Sequence, residues 1–81
     1  MSWTIYIIRC KDDSLYTGIT KNLDERLEAH NAGKGAKYTR GRGPVELVWF
    51  KKNLNESKAR KKEIEIKKFS RTKKEEFIDR P

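Results

Sequence analysis

The chain has 81 residues, of which 40% are charged and only 35% hydrophobic, so it can bury one small core and not two. Its uninterrupted apolar runs are short stretches such as Ile5 to Ile8, far below the length of a transmembrane span. The single Cys10 excludes an internal disulfide and a cysteine-based zinc cluster, and twenty Lys plus Arg against twelve Asp plus Glu leave a net charge of +8, enough to attract polyanions.

Nucleic acid is therefore the first partner to consider, although basic composition by itself also fits a ribosome-associated or merely soluble protein. The N-terminus shows no basic region followed by a long apolar stretch and a small-residue cleavage site. The expectation is a cytoplasmic protein away from membranes, monomeric in preference, with a single domain over residues 1–81.

In chain order, Trp3 to Arg9 and Leu15 to Thr20 are dense in β-branched and aromatic residues and flank Lys11-Asp12-Asp13-Ser14. This pattern predicts a β-hairpin. Alternation puts Trp3, Ile5 and Ile7 on one face of the first strand and Thr4, Tyr6 and Ile8 on the other, so both faces should be covered. Asn22 is placed to cap a helix from about Leu23 to Asn31, with Asp24 and Glu25 where the helix dipole favours anions and Gly33 as its stop. The segment Lys34 to Gly43 is too basic and too rich in glycine for a core element. It reads as a surface loop with room for one short helical turn. Gly43-Pro44 breaks the chain before a third strand at Val45 to Phe50. Asn55 then caps a helix through about Phe69, and Thr72 a short last helix ending near Ile78. The class is α/β, a three-stranded antiparallel sheet flanked by helices.

Projection at about 100° per residue puts Leu23 and Leu27 on the inward stripe of the first helix, with Arg26 and His30 on its edge, one turn apart. On the second helix Ala59, Ile66 and Phe69 mark the inward stripe, and Glu63 falls inside it. A carboxylate turned from water needs a partner, either a cation or a metal. In the hairpin, a turn centred near Asp12 brings Tyr6 opposite Gly18 and places Tyr16 diagonally on the same face. Gly18 has no side chain, which would leave the Tyr6 ring uncovered and let a ligand's backbone come close. If the helices pack on that face, Tyr6, Tyr16, Arg26, His30 and Glu63 converge on one small cleft.

The segment Ile5-Tyr6-Ile7, then Tyr16-Thr17-Gly18 ten residues after the first tyrosine, then an Arg in the following helix and a Glu in a later one, resembles the GIY-YIG nuclease domain. The stretch His30-Asn31-Ala32-Gly33-Lys34-Gly35-Ala36-Lys37-Tyr38-Thr39-Arg40 is similar to the small stand-alone bacterial members of that superfamily. Thr4 stands where the first glycine of the signature belongs, and Thr17 where its second isoleucine belongs. The resemblance implies metal-dependent hydrolysis of phosphodiester bonds in DNA, or secondarily RNA, with one divalent ion, Mg²⁺ or Mn²⁺, on Glu63. It further implies that Arg26 grips a phosphate oxygen by its planar fork, that Tyr6 activates water and that Tyr16 positions water or phosphate. His30 is the other proton-transfer candidate, because its ordinary pKa lies near working pH.

Lys34, Lys37, Arg40 and Arg42, interleaved with Tyr38, suit phosphate gripping with a base or sugar stacked on the ring. The cations of the last two helices read as a broad solvated face, since nothing in their spacing encodes base contacts. Two alternatives stay open on the sequence. One is a nucleic-acid-binding module that keeps the fold without turnover, the other a ribosome or repair adaptor. Each residue also has a plainer role: the tyrosines as core aromatics, Arg26 with its stem packed on Leu23 and Leu27, His30 as a helix-end cation, and Glu63 in an ion pair with Arg26 or Lys67.

Overall fold

The computed structural model describes residues 2–80. Strands β1 (Trp3–Arg9), β2 (Leu15–Thr20) and β3 (Glu46–Leu54) are joined with helices α1 (Leu23–Asn31), α2 (Glu56–Lys67) and α3 (Arg71–Asp79). The strands form one antiparallel sheet in the order β2-β1-β3. The central place falls to β1 because a strand with neighbours on both sides and layers on both faces must be apolar on both faces. Ile5, Tyr6, Ile7 and Ile8 are all fully buried. Thr4 and Thr17, the two departures from the signature, are buried as well and remain β-branched, so neither interrupts its strand.

Two boundaries differ from the sequence reading. The third strand continues past Phe50 to Leu54 through the exposed Lys51, Lys52 and Asn53. It lies at the sheet edge, where charged side chains keep their water and discourage further pairing. The last helix is capped by Ser70, whose hydroxyl accepts from the Lys73 N–H, so Thr72 lies inside the helix and does not cap it. Both residue types serve as caps, and only the backbone path at Phe69 decides between them. The predicted caps of the other two helices hold: Asn22 accepts from the Glu25 N–H and Asn55 from the Lys58 N–H.

On one face of the sheet, Ile5, Ile7 and Leu15 pack with Ile66 of α2, and Val48, Trp49, Phe69, Phe77 and Ile78 close around them. Phe77 meets both Trp49 and Phe69 edge-on, with ring centroids 4.8 and 5.7 Å away, which carries α3 into the same core. Thr17 pairs with Ile7 on this face, and its hydroxyl finds no hydrogen-bond partner there. The opposite face carries Tyr6, Tyr16 and Gly18 and receives α1. The expected inward stripe of α1 is corrected: Leu23 and Leu27 are only half-buried, and the buried residue of the helix is His30.

A charged clamp ties the hairpin to α3. Arg9 donates to both carboxylate oxygens of Glu75, at 3.0 and 2.7 Å, and to Asp13 at 2.9 Å. Arg71 donates to Glu75 at 3.0 Å and to the Asp13 carbonyl at 2.7 Å. The Arg9 hydrogen bonds, with those of Arg71 behind them, lower the Glu75 carboxyl from 4.5 to about 2. A carboxyl whose pKa is depressed by folding stabilises the native state above its unfolded pKa and loses that contribution as pH falls through the folded value. Glu75→Gln should therefore lower the melting temperature at pH 7 by a few degrees. The difference from the parent should shrink as pH falls below 4.5 and be largely gone once pH passes below about 2, as measured by thermal unfolding across that range.

Candidate active site

The hairpin register is the one its turn predicts, with Tyr6 opposite Gly18 and Ile8 opposite Tyr16. The two phenol rings share a face, centroids 6.5 Å apart. Gly18 does not leave Tyr6 open to solvent, however. The Tyr6 ring is fully buried, and a Cβ on Gly18 would lie 2.6 Å from its hydroxyl oxygen and 3.0 Å from the Tyr16 ring. The close approach that glycine permits at this position is taken by the tyrosine itself. Any larger residue would push the phenol from its place.

His30, fully buried in the last turn of α1, completes an aromatic triangle with centroids 5.8 Å from Tyr6 and 5.4 Å from Tyr16. Its Nε2 is 2.8 Å from the Tyr6 hydroxyl, and its Nδ1 is 2.7 Å from the Thr39 hydroxyl. Thr39, also fully buried, donates in turn to the Ala36 carbonyl at 3.0 Å. Gly35 seals the other side, since a Cβ there would collide with the imidazole. Burial holds His30 below its ordinary 6.5, with the Arg26 charge acting in the same direction. The ring is a neutral hydrogen-bonding group at pH 7.

Burial likewise pushes the Tyr6 phenol above its ordinary value of 10.0, against the pull of the Arg26 guanidinium. Arg26 is half-buried next to Tyr6 and has no ion-pair partner among the described residues. Glu63 also acts on Tyr6, its negative charge raising the phenol. It is half-buried, as its place on the helix predicts, and its carboxylate pairs with Lys67 one turn on at 3.3 Å. Lys67 in turn lies over the Tyr16 ring, 5.8 Å from its centroid. Of the two cations considered for Glu63, Lys67 is the one it meets. Among the described residues no three His, Cys, Asp or Glu side chains group as a metal cage. A single half-buried carboxylate is nonetheless a donor set that Mg²⁺ accepts, because that ion keeps several waters and takes phosphate oxygens for the remainder. Glu63 fits that requirement.

The basic loop is anchored more firmly than its composition suggests. One turn of 3-10 helix, Lys37–Thr39, turns Thr39 inward to His30, and the Lys11 N–H donates to the Arg42 carbonyl at 2.8 Å. Tyr38 stacks on Tyr16 at 5.7 Å with its ring 44% exposed, and the Arg42 guanidinium covers it from 4.7 Å. Arg42 is also held by the Asp12 carboxylate. Lys34, Lys37 and Arg40 remain exposed and free of ion pairs among the described residues. Sequence reasoning missed Thr39 and Gly35. A small polar residue and a glycine in a glycine-rich loop carry no pattern that marks them as neighbours of a histidine nine and five residues earlier.

A family model described as the GIY-YIG catalytic domain matches residues 2–76. The chain is 53% identical to the UPF0213 protein OB0043 of Oceanobacillus iheyensis over 75 residues, covering 93% of this chain and 87% of that one. It is 55% identical to the UPF0213 protein CPE1444 of Clostridium perfringens over 74 residues, covering 91% and 80%. Among solved structures, the solution NMR structure of the UPF0213 protein BH0048 from Bacillus halodurans superposes with a TM-score of 0.65 at 47% identity, over 98% of this chain and 84% of that one. That of the protein EF2693 from E. faecalis superposes with a TM-score of 0.66 at 38% identity, with the same coverage. With the signature tyrosines on one face of the hairpin and the family model matching nearly end to end, the chain belongs to the GIY-YIG catalytic domain family.

Proposed function

We propose that the protein is a divalent-metal-dependent phosphodiesterase that cleaves nucleic acid, DNA in preference to RNA. The domain family is typical of endonucleases. The observation that carries the reading for this chain is the hydrogen bond between two buried groups, the Tyr6 hydroxyl and His30 Nε2. A phenol raised by burial does not ionise by itself near neutrality. Joined to a neutral imidazole, it need not. As water attacks phosphorus, Tyr6 oxygen takes the water proton while the Tyr6 proton passes to His30 Nε2. The hydroxide–phosphorus bond forms, the bond from phosphorus to the leaving oxygen breaks with its electron pair going to that oxygen, which then takes a proton from solvent, and the water proton has in effect moved to the histidine without a free phenolate.

Arg26 supplies charge at the phosphate. A half-buried guanidinium without an ion-pair partner has its fork available for two non-bridging oxygens. It also lies beside the Tyr6 hydroxyl, so a phosphate held by Arg26 is brought next to the phenol. Tyr16, in contact with both Tyr6 and His30, orients the attacking water or the phosphate through its hydroxyl. Glu63 would hold the divalent ion, which when bound stabilises the negative charge on phosphate and leaving oxygen. Lys34, Lys37 and Arg40 grip flanking phosphates, and the exposed part of Tyr38 offers a surface for a base or sugar. Arg42, already engaged by Asp12 and Tyr38, holds the loop in place for them.

Tyr6→Phe and Arg26→Ala should each slow cleavage of labelled duplex, branched or single-stranded DNA by about 100-fold in Mg²⁺ while binding persists. Full activity of a folded Tyr6→Phe protein would remove the phenol from the mechanism. Glu63→Gln should abolish metal-dependent cleavage yet change stability by less than about 1 kcal/mol, because its partner Lys67 is half exposed and the pair is of the weak i,i+4 kind. A marked drop in stability with cleavage intact would assign Glu63 to structure alone. The logarithm of the binding constant should fall linearly with the logarithm of salt concentration. Joint replacement of Lys34, Lys37 and Arg40 by Ala should flatten that slope by about 0.9 for each phosphate that is no longer neutralised. An unchanged slope would move the binding surface to the helix cations.

A further inference from the structure

His30 is the single histidine of the chain, and its fully buried ring has only the partners that the fold provides. Three contacts run in series from Tyr6 to His30 Nε2, from His30 Nδ1 to Thr39, and from Thr39 to the Ala36 carbonyl. Counting hydrogens decides how they are arranged. A carbonyl can only accept, so the 3.0 Å contact at Ala36 uses the one hydroxyl hydrogen of Thr39. The Thr39 oxygen then faces Nδ1 with lone pairs alone, and the 2.7 Å contact between them needs a hydrogen on Nδ1. A neutral imidazole carries one such hydrogen, which leaves Nε2 bare toward the Tyr6 hydroxyl 2.8 Å away. With the opposite tautomer the Thr39 hydroxyl would have to turn toward Nδ1, and its oxygen would face the Ala36 carbonyl as acceptor against acceptor.

We propose that Thr39 is a positioning residue that holds His30 in its Nδ1–H form, so that Nε2 stands ready to take the Tyr6 proton. The role rests on the nuclease reading, whereas the tautomer does not. Gly35 supports the same arrangement by packing against the ring, where a Cβ would collide with Nδ1. Because Thr39 sits between Tyr38 and Arg40, the segment proposed to grip phosphate also sets the protonation pattern of the catalytic pair. The loop is thereby part of the active site and more than an approach to it.

A lone histidine makes the test direct. Long-range ¹H–¹⁵N correlation on the intact protein above pH 7 reads each ring nitrogen without assignment ambiguity. The parent should show a protonated Nδ1 and an unprotonated Nε2. Thr39→Ser, which keeps the hydroxyl, should give the same spectrum and near-parent cleavage. Thr39→Val should lose the Nδ1–H preference and lower kcat about 10- to 100-fold, with the dissociation constant for DNA unchanged. Tyr6→Phe removes the other partner and should leave Nδ1 protonated, since Thr39 and not the phenol sets the tautomer. An Nε2–H parent, a folded Thr39→Val protein with the parent's pattern, or a switch of tautomer in Tyr6→Phe would each overturn the proposal. Should Thr39→Val fail to fold, the parent and Tyr6→Phe spectra decide. Absence of cleavage by the parent on every substrate would overturn the nuclease reading while the spectra still judged the tautomer.

Discussion

The hydrogen bond between the Tyr6 hydroxyl and His30 Nε2 is the constraint around which this small protein is arranged. Tyr6 lies on the central strand, buried on all sides, and a buried hydroxyl left without a partner would cost about 1–3 kcal/mol. Only the last turn of α1 brings an imidazole within reach. Satisfying that one group sets several others. Gly18 must lack a side chain because the phenol fills the space above it, and Gly35 must lack one because the imidazole fills the space beside it. Thr39 must turn inward to partner the second ring nitrogen. A domain of this size can ill spare so much buried polar area, and the chain of hydrogen bonds from Tyr6 through His30 and Thr39 to Ala36 offsets its cost.

The distribution of charge follows a division of labour. Arg9, Arg71, Asp13 and Glu75 neutralise one another where the hairpin turn meets α3, on the side of the molecule built around the apolar core. Around the tyrosines the balance is different. Arg26, Lys34, Lys37 and Arg40 have no carboxylate partner among the described residues, and Glu63 is the carboxylate whose charge reaches Tyr6. Cations left without carboxylate partners are an arrangement that draws in a polyanion. No helix among the described residues is long and apolar enough to cross a membrane.

Tyr16 shows how one residue joins the two layers of the site. Its ring touches Tyr6 and His30 on the inner side, Tyr38 stacks on it from the loop, and Lys67 reaches it from α2. Arg42 holds that stack in place, because it covers Tyr38 while pairing with Asp12 in the hairpin turn.

Much of this was legible from the order of residues alone. The hairpin register follows from turn length and strict alternation, and Tyr6 opposite Gly18 is a consequence of period two. The caps Asn22 and Asn55 follow from local hydrogen bonding, and the half-buried place of Glu63 from helical period. These are short-range properties, set by covalent geometry within a few residues. What the tertiary structure decided is of another kind. It buried His30 in place of Leu23 and Leu27, closed the space at Gly18 with the phenol, extended β3 through its lysines and chose Ser70 over Thr72 as a cap. Each depends on which surfaces meet at distances of nine to tens of residues. Amphipathic period says that a helix has an inner face, but the depth at which a given side chain sits depends on the crossing angle and on what the opposing sheet presents. A histidine edge becomes a buried centre because Tyr6 offers it a hydroxyl, and a threonine in a basic loop becomes its partner because the chain turns once between Lys37 and Thr39.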